Sequence, residues 1–212
     1  MLYIIATPIG NLGDVSLRAV ETIGKLDILL CEDTRQTIRL LEGLKIANRP
    51  QLVSYYDEVE EQRIPQVLEW LRKGKEVGLV SDGGTPLLSD PGWKLVKRCQ
   101  EKGIKYTSLP GACAAINALV LAGLPMGRWS FLGFLPKRNG ERLSVLKEYA
   151  KVSGTKVIYE SPMRVARLID EIKQVYGETV KIRIIREMTK KYEEVKTDSD
   201  GKNRGEVVVV FG

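Results

Sequence analysis

The chain has 212 residues, of which 43% are hydrophobic, 33 are basic and 27 are acidic, and it contains no histidine. Its length and apolar content fit one large domain or two small ones with a buried core, and they exclude a disordered chain. Without imidazole there is no Ser-His-Asp or Cys-His nucleophile pair, no HExxH zinc site and no histidine pH switch. Acid–base chemistry therefore falls to Asp, Glu, Lys, Tyr or Cys.

Residues 1–122 alternate short β-rich runs with helical patterns, which predicts strand–helix units around a mainly parallel sheet. The predicted strands are residues 2–6, 28–31, 77–80 and 105–109. Helices are predicted over residues 16–24, after an N-cap at Asp33, around residues 67–71, over residues 93–101, and in the small-residue segment that follows Pro110.

Gly123, Pro125 and Gly127 interrupt this alternation, so we place a domain boundary there, between a first domain of residues 1–122 and a second of residues 123–212. The predicted strands of the second domain are residues 129–134, 156–159, 181–186, 192–196 and 206–211. Its predicted helices are residues 136–150 and the segment from Pro162 to about residue 176. TDSDGKNRG, residues 197–205, is predicted to be a polar turn.

The three cysteines, Cys31, Cys99 and Cys113, are far apart and form no C-x-x-C pair, which argues against a disulfide framework and a zinc cluster. No run of about 18 apolar residues occurs, and the opening MLYIIATPIG lacks the basic start of a signal peptide. We therefore expect a cytoplasmic protein of a reducing compartment, with no metal and no membrane segment.

The net charge of +6 lies entirely in residues 123–212, because residues 1–122 carry equal numbers of basic and acidic side chains. Such a one-sided excess is typical of a surface that binds a polyanion, although many proteins with other partners are also basic.

Three predicted strand-to-helix loops are rich in glycine and proline: TPIGNLGD, SDGGTPLLSDPG and LPGACAA. Ligands of open α/β sheets bind at the carboxyl ends of strands, where glycine lets them approach the backbone and proline fixes the loop. No G-x-G-x-x-G and no P-loop pattern occurs, which disfavours NAD and ATP. The loops either turn the chain or hold a ligand that needs backbone contacts and an apolar slot.

Seven motifs, in this order, resemble those of the small-subunit ribosomal RNA ribose-2'-O-methyltransferase I family of the tetrapyrrole methylase superfamily: IIATPIGNLGDVSLRA, LCEDTRQTIRLL, LVSDGGTPLLSDPG, LPGACAAINALVLAGLP, FLGFLP, YESPMR and REMTKKYEE. The resemblance implies the class III methyltransferase fold, with a parallel-rich N-terminal sheet and a mixed C-terminal sheet. It also implies S-adenosyl-L-methionine bound between two α/β domains and a homodimer. The implied reaction methylates the ribose of a cytidine in the decoding region of 16S ribosomal RNA, either free or in the small subunit.

By the same resemblance, the cofactor contacts fall on Pro8, Gly10, Val80, Ser81, Asp82, Leu88, Cys113, Ala114, Glu160 and Met188. Four carboxylates are candidates for a catalytic base: Glu32, Asp33, Asp82 and Glu160. Asp33 is equally a helix N-cap, and Asp82 equally a residue that orients the loop or the cofactor. The candidate RNA contacts are Arg35, Lys137, Arg138, Arg142, Arg164, Arg167, Lys190 and Lys191. The alternative is a surface ion pair for Arg35 and a solvated surface for the others.

The sequence departs from the family where relatives carry histidines, in SYYDEVEEQ and at Met163 of SPMR. If either histidine shapes the RNA site in relatives, this chain must use Tyr55, Tyr56, Asp57 or Arg164 differently at that site, or it must recognise another RNA. Two alternatives stay open: a methyltransferase of the same fold that acts on a tetrapyrrole or on a modified histidine of a protein, and a ribosome-binding factor without catalysis.

Overall fold

The computed structural model describes residues 1–198, 201 and 204–212 of the chain. These residues divide into two compact units, Met1–Cys113 and Ala114–Gly212. Four residues of the predicted polar turn, 199, 200, 202 and 203, lie outside the described part.

The first unit is built on a five-stranded sheet in the order β3-β2-β4-β1-β5, with all pairs parallel. Its strands are β1 (Leu2–Ile5), β2 (Ile28–Cys31), β3 (Gln51–Ser54), β4 (Val77–Leu79) and β5 (Tyr106–Leu109). The connecting helices are α1 (Leu17–Ile23), α2 (Thr34–Gly43), α3 (Asp57–Arg72) and α4 (Trp93–Glu101). Strand β2 is buried along its whole length, as its apolar sequence ILLC requires of a central parallel strand.

Side-chain N-caps fix the residues at which two helices begin, and therefore where the preceding loops end. Ser16 caps α1 by accepting a hydrogen bond from the Ala19 backbone N–H, at 3.1 Å. Asp33 caps α2 by accepting one from the Arg35 N–H, at 2.8 Å. An oxygen at this position satisfies backbone donors that have no partner inside the helix. The N-cap expected at Asp33 is therefore present.

The second unit contains a five-stranded sheet in the order β6-β7-β10-β8-β9, in which only the β6–β7 pair is parallel. Its strands are β6 (Trp129–Phe134), β7 (Thr155–Glu160), β8 (Ile182–Arg186), β9 (Glu194–Lys196) and β10 (Val207–Phe211). Its helices are α5 (Ala114–Ala122), α6 (Asn139–Ala150) and α7 (Val165–Tyr176). The parallel-rich first sheet and the mixed second sheet confirm the expected fold class.

Side chains alternate between the two faces of this second sheet. Ile158 and Val209 pack with Leu168 of α7 and Leu146 of α6 in one core cluster. Helix α5 contacts β7, β8 and β10, and the Tyr159 hydroxyl accepts a hydrogen bond from the Ala115 N–H at 3.1 Å. Because these strands hold α5, the division between the units falls after residue 113 and not after residue 122, where the glycine and proline breaks lie.

Within the described residues, no helix combines the length and the apolar character needed to cross a bilayer. In the same part of the chain, no cluster of three or more His, Cys, Asp or Glu side chains is suited to a metal ion. All three cysteines are free thiols, and Cys31 and Cys99 are buried.

Candidate active site

Hydrogen bonds join the three loops that follow β1, β4 and β5 in the first unit. The backbone of Thr7 pairs with that of Gly84 in both directions, at 2.9 and 3.0 Å. The Thr7 hydroxyl donates to the Ser81 carbonyl at 3.3 Å, and the Thr85 hydroxyl donates to the Ala112 carbonyl at 3.0 Å. The loops predicted to carry a ligand therefore form one connected edge at the carboxyl end of the parallel strands.

Small residues are required where these loops touch. Gly84 has a φ of +90°, and a Cβ there would lie 3.2 Å from Cγ2 of Ile9. A Cβ on Gly111 would lie 2.9 Å from the Cβ of Ala6, closer than real Cβ contacts allow. The glycines thus let three backbones converge, which leaves main-chain groups rather than side chains to line this edge.

Carboxylates from two loops meet at the same edge. The Glu32 Oε1 atom accepts a hydrogen bond from the Asp82 N–H, at 3.2 Å. In return, the Asp82 Oδ1 atom accepts one from the Asp33 N–H, also at 3.2 Å, and Asp82 Oδ2 accepts one from Gln36 at 3.2 Å. The structure therefore brings together three of the four candidate bases, Glu32, Asp33 and Asp82.

The environments of these carboxylates differ in ways that separate their pKa values. Hydrogen bonds from the Arg35 guanidinium, at 3.0 and 2.7 Å, lower the pKa of Asp33 to about 2. Burial, with repulsion from Asp90, Asp82 and Asp57, raises the pKa of Glu32 to about 7. Burial also raises the pKa of Asp82. Asp33 is thus a fixed anion and Glu32 titrates near neutral pH.

Asp90 is a member of this carboxylate group that the sequence reading missed. Burial, with repulsion from Asp82 and Asp57, raises its pKa to about 6, although a hydrogen bond with Ser81 opposes this. Asp90 stands in the SDPG segment of the loop after β4, so its place in a glycine- and proline-rich loop was the available signal.

Glu160, the fourth candidate base, ends β7 in the second unit and is only 3% exposed. Its Oε1 atom accepts hydrogen bonds from the Ser161 N–H at 2.6 Å and from Arg164 Nε at 2.7 Å. Its Oε2 atom is buried and has no hydrogen-bond partner among the described residues. A buried carboxylate oxygen in this state is expected to receive a donor from a ligand or from water.

Met188 lies in a strained loop of the second unit. It is 8% exposed, and its neighbours Glu187 and Thr189 have φ values of 52° and 64°. Thr189 Oγ1 is buried and, like Glu160 Oε2, lacks a hydrogen-bond partner among the described residues. Positive φ at two non-glycine residues is unfavourable, and such strain is concentrated at binding sites.

The structure corrects one of the predicted RNA contacts, Arg142. It is only 1% exposed, and its Nε and Nη2 atoms both bond to the buried carboxylate of Glu171, the latter at 2.6 Å. The carbonyls of Pro136 and Lys137 accept its remaining hydrogen bonds, at 3.4 Å each. With its guanidinium enclosed in this way, Arg142 is not available to a phosphate.

The same buried carboxylates orient two other arginines on the surface. Glu171 also accepts a bond from Arg167 Nε at 3.1 Å, and the Arg167 side chain stays 57% exposed. Glu160 holds Arg164, whose side chain is 26% exposed. Each guanidinium is anchored through Nε. Glu171 is therefore a positioning residue that the sequence did not reveal, although its i+4 spacing from Arg167 was a signal.

The other candidate RNA contacts differ in their exposure and in the ion pairs that their side chains form. Lys137, Arg138 and Lys191 are exposed. The Arg35 side chain is 83% exposed but ion-paired with Asp33. Lys190 bridges Glu187 and Glu206, at 3.2 and 3.0 Å.

Tyr55 is not able to take over, at the protein surface, the role of the histidine that relatives carry in the segment SYYDEVEEQ. Its side chain is fully buried, and its hydroxyl donates to Glu60 at 3.2 Å. Burial and the Glu60 charge raise the pKa of Tyr55. Tyr56, in contrast, is 41% exposed.

Comparisons with known proteins bear on this arrangement. The family model described as tetrapyrrole (corrin/porphyrin) methylases matches residues 1–200. The protein named ribosomal RNA small subunit methyltransferase I from Vibrio cholerae is 38% identical over 99% of this chain and 76% of its own length. The protein of the same name from Escherichia coli O157:H7 is 39% identical over the same shares of both chains.

The chain belongs to the tetrapyrrole methylase family, in its ribosomal RNA small subunit methyltransferase I branch. Solved structures agree at the level of the fold. A diphthine synthase superposes with a TM-score of 0.76 at 18% identity, covering 100% of this chain and 89% of that one. A cobalt precorrin-4 methyltransferase superposes with a TM-score of 0.71 at 16% identity, covering 100% and 94%.

S-adenosyl-L-methionine is the methyl donor of tetrapyrrole methylases, which confirms the cofactor expected from the sequence. The residues present fit it. This ligand carries an ammonium, a sulfonium, ribose hydroxyls and an adenine amine, which suit carboxylate and carbonyl acceptors. The edge around Asp82 in the first unit offers such acceptors.

The remaining positions that the motifs mark in this methylase, apart from Ala114, lie on the loops of the first unit. Val80 and Ser81 are buried, Gly10 is exposed, and the others are half-buried: Pro8, Leu88, Cys113 and Ala114. Ala114 is the first residue of α5.

Proposed function

We propose that this methylase transfers the methyl group of S-adenosyl-L-methionine to the 2'-hydroxyl of a cytidine in the decoding region of 16S ribosomal RNA. The names of the 38% and 39% identical relatives support small-subunit ribosomal RNA as the substrate. The observation that carries the proposal is the edge of the first unit, where three bonded loops present backbone groups beside carboxylates.

The proposed contacts of the methyl donor are those marked by the family motifs: Pro8, Gly10, Val80, Ser81, Asp82, Leu88, Cys113, Ala114, Glu160 and Met188. The bound donor supplies a methyl group that its sulfonium already activates. The loops around Thr7 and Gly84 are held by their own hydrogen bonds, so they are arranged before the ligand arrives. Alignment of donor and acceptor by such a prearranged site can contribute about 7–11 kcal/mol to lowering the barrier.

The RNA surface is proposed on the second unit. Lys137, Arg138, Arg167 and Lys191 expose cationic groups, and Arg164 is partly exposed. The buried Glu171 and Glu160 fix two of these arginines through Nε, so their outer N–H groups keep a set direction toward a phosphate. Contacts of this kind give salt-dependent binding, and a splayed single-stranded nucleotide exposes its 2'-hydroxyl.

Methyl transfer to isolated small ribosomal subunits tests this function. Purified protein, subunits and donor labelled in its methyl group should give label in 16S RNA, and mass spectrometry of the digested RNA should find 2'-O-methylcytidine. Label on the base, or on a tetrapyrrole or protein substrate tested in parallel, would assign another acceptor. Calorimetry that detects no donor binding at millimolar concentration would favour a ribosome-binding factor without catalysis.

A homodimer is part of the proposal, because the family resemblance implies one. Light scattering at micromolar protein concentration should give twice the mass of one 23.7 kDa chain. A monomeric mass that persists across concentrations would remove this part and leave the reaction untouched.

A further inference from the structure

Transfer of a methyl group to a ribose hydroxyl releases one proton, and a positioned base accelerates such a step by about 10²–10⁴-fold. The chain contains no histidine, so a carboxylate is the natural acceptor. The edge of the first unit holds four of them: hydrogen bonds join Glu32, Asp33 and Asp82, and Asp90 interacts with this group through its charge. The hydrogen bonds of the first three distinguish which of them can act.

Two of the four accept a hydrogen bond on each carboxylate oxygen. Arg35 bonds to both oxygens of Asp33 and neutralises its charge, at 3.0 and 2.7 Å. Asp82 accepts one bond on each oxygen, from the Asp33 N–H and from Gln36, at 3.2 Å each. The Arg35 guanidinium makes Asp33 a weak base, and both oxygens of Asp82 already accept a hydrogen bond from the protein.

Glu32 differs from both. Its Oε1 atom accepts one bond, from the Asp82 N–H, which fixes the direction of the carboxylate. Its Oε2 atom accepts no hydrogen bond from the described residues. The charged groups that face Glu32 are Asp82 and Asp90 of the loop between β4 and α4, and Asp57 at the start of α3. No cation neutralises it among these neighbours, so its proton affinity is high for a carboxylate.

We propose that Glu32 is the general base of methyl transfer, with its Oε2 atom receiving the proton of the acceptor hydroxyl. This assignment rests on the proposed function. In the step, the O–H bond of the 2'-hydroxyl breaks as Glu32 takes the proton. The ribose oxygen uses its electron pair to form a bond to the methyl carbon, and the carbon–sulfur bond breaks with its pair left on sulfur. Glu32 then releases the proton to solvent, which balances charge and atoms.

The neighbours of Glu32 suit a base that works at neutral pH. Burial, with repulsion from Asp90, Asp82 and Asp57, brings its pKa to about 7, which combines a useful ionised fraction with a strong pull on the proton. Asp33, with a pKa of about 2, would be ionised but nearly without basicity. Asp90 is held by a hydrogen bond with Ser81 and acts on Glu32 through its charge, so it is in this sense a positioning residue.

Single-turnover methyl transfer at saturating donor, measured from pH 5.5 to 9, tests the assignment. The wild-type rate should fall on the acid side with a midpoint near 7. Glu32→Gln should lower the rate by about 10²–10⁴-fold and abolish this acid limb, while calorimetry finds donor affinity within threefold of wild type. Glu32→Asp should recover part of the rate.

Two further variants sharpen the result. Asp90→Asn removes one negative neighbour, so the acid limb should move to lower pH. Glu58→Gln, at an exposed position of α3, is the matched control and should behave as wild type. Glu32→Gln with a wild-type rate and profile, in a folded protein that binds donor, would overturn the assignment and leave the methyltransferase standing. Absence of transfer by the wild type would overturn the proposed function together with the base.

Discussion

Removal of the negative charge at Glu171 should destabilise the second unit strongly. Arg142 and Glu171 are 1% and 4% exposed, and Glu171 also accepts bonds from Asn139 at 2.6 Å and Arg167 at 3.1 Å. Glu171→Gln leaves the Arg142 guanidinium buried without its counter-charge, a change that typically costs about 3–5 kcal/mol. For a chain of this size that corresponds to a fall in Tm of about 6–20 °C.

Calorimetric unfolding of the wild type and of Glu171→Gln measures this difference, with Glu178→Gln at an exposed position as the matched control. The double variant Arg142→Met, Glu171→Leu should recover most of the loss, because a packed apolar pair avoids the desolvation of two charges. A loss below about 1 kcal/mol in Glu171→Gln, equal to that of the control, would refute the reasoning that the pair is a buried, mutually dependent unit.

The loss of stability at low pH provides an independent test of the role of Glu171. Burial raises the pKa of Glu171, but the hydrogen bonds from Arg142, Asn139 and Arg167 outweigh it, and the net pKa is lowered from 4.5. A lowered pKa contributes stability above the unfolded value that is lost as pH falls through the folded one. The wild type should therefore lose stability below about pH 4.5, and Glu171→Gln should show less of this loss.

Three further predictions concern the proposed donor site, the proposed RNA surface and the carboxylate of Glu32. Ala114→Trp should abolish donor binding in calorimetry while circular dichroism shows a native fold, because a small half-buried side chain at the start of α5 leaves room for the donor; unchanged affinity would show that the pocket is elsewhere. Lys137→Ala with Arg138→Ala should weaken RNA binding and reduce the slope of log affinity against log salt by about 2, whereas Lys147→Ala should not. Glu32→Gln should stabilise the protein at pH 8 and not below pH 4.5, because a pKa raised from 4.5 to about 7 removes stability as pH rises between these values. Solvent screening of this half-buried group limits the gain to about 1–2 kcal/mol in urea unfolding.

The sequence predicts correctly those strands whose residues give an unambiguous signal for a strand. The run ILLC of β2 is apolar throughout and is buried on both faces. β3, Gln51–Ser54, was missed because it is an edge strand of four residues with polar ends and only Val53 buried. Helix α3 was recognised only around residues 67–71, because Pro65 lies inside it. Proline argues against a helix interior, and tertiary packing overrides that preference here.

For the site, the sequence predicts the loops that come together but not the contacts between the side chains. Glycine and proline mark the three loops, and the structure brings these together as expected. No local pattern distinguishes Arg142, which is enclosed, from Arg138, which is exposed, since the difference comes from Glu171, 29 residues away from Arg142 along the chain. The order of the carboxylate pKa values likewise depends on Arg35 turning back onto Asp33 and on Asp90 facing Glu32. The interaction of Asp90 with Glu32 joins two different loops and is not encoded in spacing.

Glu32, Asp82 and Asp90 repel one another at the edge of the first sheet, and burial raises the pKa of each. Repulsion of this kind lowers stability, a cost that is often found where activity needs a destabilised site. A structural role for Glu32 requires that Glu32→Gln lowers both stability and rate. A functional role requires that the rate falls while stability at pH 8 rises. The two measurements together therefore separate the explanations, because loss of a residue whose role is to stabilise the fold does not make the protein harder to unfold.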